Sequence, residues 1–293
     1  MLNARKLTLL LAVVGMLAVA RFARTEADPG AVSVVVYHRS KCSPAWFALP
    51  ASDSLSVGGD RLSVETVDLD STAGRIRARL FADGTRGVVL RDEEGSPAFA
   101  TELLLEDELV ALVQHFTQHG GLVRDVRVAA ESSAGEPGPL WEAYYAEKAL
   151  GNKRLAESAL RRAKAADPDL RAPEAEVFRI SLCLRTVLAS DSTAMRESLE
   201  CLAPLEPTTK SAAGRRKLSN ILATLYFQVG DADAGARWLR VAWETRQPWE
   251  YASRAHRLLR AAGDRVDVLE PELLRELQDA TVGGSSVVPS ESR

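Results

Sequence analysis

Cysteine is scarce in this chain: Cys42, Cys183 and Cys201 are the three among 293 residues, too few for a fold held by a disulfide framework. Charge of one sign is missing as well. The 37 basic and 40 acidic residues leave a net charge of −3, so nothing global points to nucleic acid or to an anionic membrane surface. Long hydrophobic runs are absent too, since the apolar stretch Leu7 to Ala20 has 14 residues against the about 20 that a membrane-spanning helix needs. The sequence carries no Walker-type phosphate loop, no His-Glu-x-x-His, no nucleophile-elbow serine and no dinucleotide glycine fingerprint. No cofactor and no metal follow from these residues.

What is present begins with an address. Arg5 and Lys6 precede the uncharged Leu7 to Ala20, which closes on Ala18-Val19-Ala20, the outline of a secretory signal peptide over residues 1–20. Arg21 directly after the cut keeps the alternative open, an uncleaved anchor. In either case the bulk of the chain is expected outside the cytoplasm, in the periplasm if the cell is bacterial, with membrane contact only through residues 7–20. In such a compartment disulfides persist. Cys183 and Cys201 fall on successive expected helices, and a hairpin turning near Ser190 brings them to within about one turn of register. They read either as a structural disulfide or as two small buried apolar residues.

From residue 31 to 128 the punctuation gives strand, helix, strand, helix, strand, strand, helix. The strands are Val32–Tyr37, Leu62–Asp68, Gly87–Arg91 and Pro97–Thr101, chosen for β-branched content and bounding Gly, Asp and Pro. Leu103 to His119 follows helical periodicity, with Leu105, Leu109, Leu112, Val113 and Phe116 on one face and Gly120-Gly121 as the stop. Residues 129–139, centred on Glu-Ser-Ser-Ala-Gly-Glu-Pro-Gly-Pro, read as a linker. Helices alone are expected over 140–280, and an unstructured Gly/Ser/Pro-rich tail over 281–293. The fold class is therefore α/β followed by all-α.

Cys42-Ser43-Pro44-Ala45 follows the first apolar strand. With the βαβαββα order and the acidic Val67-Asp68-Leu69-Asp70, it resembles the thioredoxin-like family, in which a Cys-x-Pro-Cys turn sets a nucleophilic thiol beside a resolving one. Ala45 stands where the resolving thiol would be. Thr85-Arg86-Gly87-Val88 has no proline where active members carry a cis one, which implies altered substrate docking. Pro50 and Gly58-Gly59 make the first helix short or broken. Cys42 has two readings: a thiolate made acidic by a helix N-terminus with His38, Arg39 and Lys41, or a relic in a fold kept for binding.

Tyr144, Gly151, Ala156, Leu160, Ala163 and Pro168, and again Leu222, Tyr226, Gly230, Gly235, Leu239 and Ala242, have a common spacing. In this the second half resembles the tetratricopeptide repeats, where small residues let two helices of a hairpin approach. A divergent hairpin, Glu174–Ser190 with Ser192–Ala203, fits between the two matches, and Trp249–Ala262 with Glu272–Ala280 supplies a terminal pair. Trp238, Trp243, Trp249 and Tyr251 read as core, or else as anchors for an extended peptide in the concave groove. His115 and His119 lie one turn apart with no third ligand, and read as caps on a helix C-terminus. The function expected is an exported protein-binding scaffold with a protein or peptide partner. The alternative is a monothiol oxidoreductase or thiol trap acting through Cys42.

Overall fold

The computed structural model describes residues 33–41, 43–45, 47–57, 59–75, 87–92, 96–119, 122–133, 135–184 and 192–282. The signal segment, Cys42, Trp46 and the end of the tail lie outside the described residues. β1 (Ser33–His38) buries every residue from Val34 to His38, the pattern of a strand covered on both faces. It runs at the centre of a five-stranded sheet ordered β2-β3-β1-β4-β5. β3 (Asp60–Asp68) pairs with it in parallel and β4 (Gly87–Arg91) antiparallel, while β5 (Pro97–Thr101) closes the sheet antiparallel to β4.

The remaining strand corrects the expected element order. Where a short or broken helix was expected between the first two strands, β2 (Ser54–Val57) pairs antiparallel with β3. Among the described residues 39–53 there is no helix. Ser54-Leu55-Ser56-Val57 alternates, and Leu55 and Val57 bury while Ser56 stays exposed. A helical turn at 72–75 leads into residues 76–86, outside the described set, where the second expected helix falls.

Ten α-helices follow among the described residues: α1 (Glu106–His119), α2 (Val123–Ser132), α3 (Pro137–Ala149), α4 (Lys153–Ala166), α5 (Glu176–Leu182), α6 (Ser192–Leu202), α7 (Ala212–Val229), α8 (Ala232–Glu244), α9 (Ala252–Ala262) and α10 (Pro271–Val282). One face of the sheet, through Val34, Val36, Val88 and Leu90, packs on Leu109, Leu112 and Val113 of α1. The other, through Val35, Tyr37 and Val89, packs on Val123 of α2 and Leu150 after α3. The expected linker is thereby corrected to a short turn: helix runs up to Ser132 and resumes at Pro137, a good first helical residue because its missing N–H has no partner there to lose. Residue 128, the expected end of the first unit, falls inside α2, and α10 carries helix two residues into the expected tail, to Val282.

In the helical half, the hairpins α3/α4 and α7/α8 turn at Gly151 and Gly230, whose φ of 74° and 89° lie in the left-handed region open to glycine. Asp231 caps α8 by accepting the Ala234 N–H at 3.0 Å. Ala156 and Ala163 on α4 are buried, and Gly235 on α8 faces the Phe227 ring so closely that a Cβ there would stand 2.9 Å from it. Small residues are what let these helices touch. α5 and α6 are joined by the Cys183–Cys201 disulfide, with Cα atoms 5.5 Å apart.

Buried carboxylates fasten distant segments. Asp167 accepts from Trp141 Nε1 (3.2 Å) and from the N–H groups of Arg171 (2.7 Å) and Ala172 (3.1 Å). Glu176 of α5 accepts from the N–H of Lys210 and Ser211 (both 2.8 Å), ahead of α7. Glu108 of α1 does the same at the start of α9. Free N–H groups at helix starts need such acceptors when water is excluded. Through Glu108 and Trp249 the last helices close back on the first.

Candidate functional site

At the end of β1 the chain turns over two aspartates. The N–H of Ser40 donates to Asp68 Oδ1 (3.2 Å) and that of Lys41 to Asp70 Oδ2 (2.9 Å). The N–H of Asp70, then that of Ser40, hold the Asp68 carboxyl below the usual carboxylate range. Ser43 donates its hydroxyl to the Arg39 carbonyl (2.7 Å), Pro44 accepts the Phe47 N–H (3.0 Å), and Ala45 is exposed. Cys42 itself lies outside the described residues. The described residues of this turn combine the cations Arg39 and Lys41 with the carboxylates Asp68 and Asp70, and 43–45 and 47–53 are not helical.

The four aromatics proposed as peptide anchors divide differently. Trp243 is buried, donates Nε1 to Glu276 Oε2 (2.9 Å), and stacks under the Arg246 guanidinium at 4.1 Å. Trp249 is buried against Phe99, Phe116 and His115, in the core beneath the sheet. Trp238 and Tyr251 are half-buried in the same helical cores. For Trp243 and Trp249 the burial fits the core reading of these residues, because helix pairs this short draw much of their buried surface from such rings. The rings of His115 and His119 lie tilted to one another with centres 4.8 Å apart, and among the described residues no group of three or more His, Cys, Asp or Glu is set to hold a metal.

What the sequence reading missed is a cleft. It lies between β5 and the hairpins, holds about 460 Å³, and is lined by Phe99 and Glu102 from the strand end and by Arg216, Lys217, Trp249 and Arg254 from the helices. α7 presents Arg216 and Lys217 on its half-buried side, and the turn before α9 supplies Trp249. Arg216 reaches the side-chain oxygen of Gln247, in the amide orientation that satisfies both groups, at 2.8 and 3.1 Å. Lys217 donates Nζ to Ser181 Oγ at 2.6 Å. Arg254 is 7% exposed and has one hydrogen bond, from Nη2 to the Ala242 carbonyl at 3.4 Å.

Burial pushes the guanidinium of Arg254 down to about 10 and lowers Arg216 and Lys217 from their usual ranges. None of these three cations has an ion-pair partner among the described residues. The two carboxylates beside them, Glu102 and Glu250, make their close pairs with Arg257 (2.7 and 3.3 Å) and act on Arg254, and Glu250 also on Arg216, only at longer range. Arg216 and Lys217 are neighbours on α7, but Arg254 stands 37 residues on, on a helix whose closure against α7 no local periodicity announces. One signal was available: Arg254 falls on the face of α9 that carries Ala255 and Leu258, where a charge is out of place.

No helix among the described residues is long and apolar enough to cross a membrane. No protein-family model, no curated protein and no solved structure matches the chain.

Proposed function

We propose that this protein is an exported, non-catalytic binding protein: a thioredoxin-like unit without its resolving thiol, followed by tetratricopeptide-like hairpins, with a protein or peptide partner held where the two meet. The observation that carries this reading is the cleft, because its walls come from both halves and three of its cations form no close ion pair among the described residues. The family likeness is supported by the sheet, in which the strand parallel to β1 flanks it on one side and an antiparallel pair on the other. Gly235 and the buried alanines of α4 support the repeat likeness. The disulfide supports export.

A photo-crosslinking side chain placed at Asn220, beside the cleft, tests the reading in cells that make the protein. Discrete adducts are expected from position 220 and none from the exposed position 128. Equal labelling from both, or none from either, would remove it.

A second reading keeps Cys42 as a trap. Its thiolate would attack a client disulfide, forming a mixed disulfide and releasing the client's other sulfur as thiolate. The cationic Arg39 and Lys41 favour it, and Cys42→Ala distinguishes it, since a binding protein keeps its adducts at position 220 and a trap loses its client.

A further inference from the structure

We propose that the cleft beside β5 binds a carboxylate of an acidic peptide segment through Arg216, Lys217 and Arg254. This rests on the binding reading above and gives its partner a chemistry. Four cationic side chains, these three and Arg257, stand around two carboxylates, Glu102 and Glu250, and Arg257 occupies both. That leaves Arg254 nine-tenths buried with a single long hydrogen bond to a carbonyl. Lys217 has a hydroxyl for a partner and Arg216 an amide oxygen. Buried charge is ordinarily paired, and a desolvated cation with no close ion pair, offset only by Glu102 and Glu250 at longer range, is a cost to the free protein that an incoming carboxylate reduces. Guanidinium groups suit a carboxylate in particular, offering paired donors in one plane.

The source of the carboxylate follows from the other walls. β5 is the edge strand of the sheet, and Phe99 to Thr101 of that strand, with Glu102 just beyond it, line the cleft. Phe99, half-buried over the core indole of Trp249, adds apolar surface for the side chains neighbouring that carboxylate. Glu102 and the buried Glu250 oppose a multiply charged phosphate more strongly than a single carboxylate.

The test uses the purified full chain and fluorescence anisotropy with two labelled peptides, alternating glutamate-alanine and alternating glutamine-alanine. The glutamate peptide is expected to bind and to weaken as salt rises, and the glutamine peptide to bind at least about tenfold more weakly, the worth of one charge-assisted hydrogen bond. Lys217→Gln and Arg216→Gln should each reproduce that loss with thermal unfolding unchanged. Arg254→Lys should bind better than Arg254→Gln, and if the latter fails to fold, the two α7 variants decide. Equal binding of the two peptides, or α7 variants that bind like the parent, overturns the proposal. Displacement by inorganic phosphate at lower concentration than by free glutamate overturns the peptide assignment. Adducts at position 220 that persist when the glutamate peptide fails to bind overturn this inference alone, whereas loss of both overturns the binding reading with it.

Discussion

Glu108 Oε1 accepts three hydrogen bonds from the start of α9, from the N–H of Tyr251 (2.8 Å) and from the N–H and the hydroxyl of Ser253 (both 2.9 Å). Its second oxygen accepts the N–H of Leu105 (2.9 Å), so one buried carboxylate both caps its own helix and anchors another 145 residues away. Burial raises its pKa above the usual range, against the pull of these four donors.

Glu108→Ala strands those donors away from water and is expected to cost about 3 kcal/mol, whereas Ser253→Ala, which removes one hydroxyl bond, should cost about 1 kcal/mol. Urea midpoints at constant slope measure both. A Glu108→Ala protein as stable as the parent would mean that α9 does not depend on this joint.

Removing the disulfide should destabilise the α5/α6 pair. The bridge closes a separation of 18 residues, for which restricting the unfolded chain is worth about 3 kcal/mol. Cys183→Ala with Cys201→Ala is expected to lower the denaturation midpoint accordingly, and intact mass after alkylation should show one labelled cysteine before reduction and all three after.

Stability should fall on mild acidification. Burial, with a smaller contribution from the charge of His119, lowers the His115 imidazole below its usual range. The unfolded chain then takes up a proton near pH 6.5 that the folded chain refuses, and stability declines as pH drops through that region. His115→Gln should flatten the decline, leaving the part due to His256, which burial also lowers. Denaturation midpoints at pH 7 and pH 5 for both proteins check it.

Gly235→Val is expected to cost about 2 kcal/mol, because the Phe227 ring stands 2.9 Å from where the first added carbon would go. Thermal unfolding of the variant measures this, and a stable Gly235→Val protein would show that α7 and α8 can separate without loss.

Four strands and the turns at Gly151 and Gly230 were legible because each leaves a local mark, a β-branched run or a glycine in an otherwise helical pattern. β2 was not, since four residues with two serines carry too little hydrophobic signal beside Pro50 and Gly58-Gly59. α2 was not expected at all, since Gly120-Gly121 reads as a helix stop and Glu131-Ser132-Ser133 resembles loop composition, yet Val123 and Ala130 bury its inner face. The cleft was least legible. Glu108 and Arg254 each put a charge on an apolar helix face, which hints at a buried partner, but the partners lie across the closure of the chain and sequence order does not name them.

That Trp249 belongs to the core beneath the sheet bears on how the protein is made. A nascent chain has all five strands and α1 in hand long before this indole and the donors for Glu108 are synthesised. α1 covers most of that face at once, and the last of its cover comes only with the α9 segment, so a chain truncated after α8 is expected to be cut by proteases sooner than the full chain near Phe99 and Phe116, the rings that Trp249 would shield.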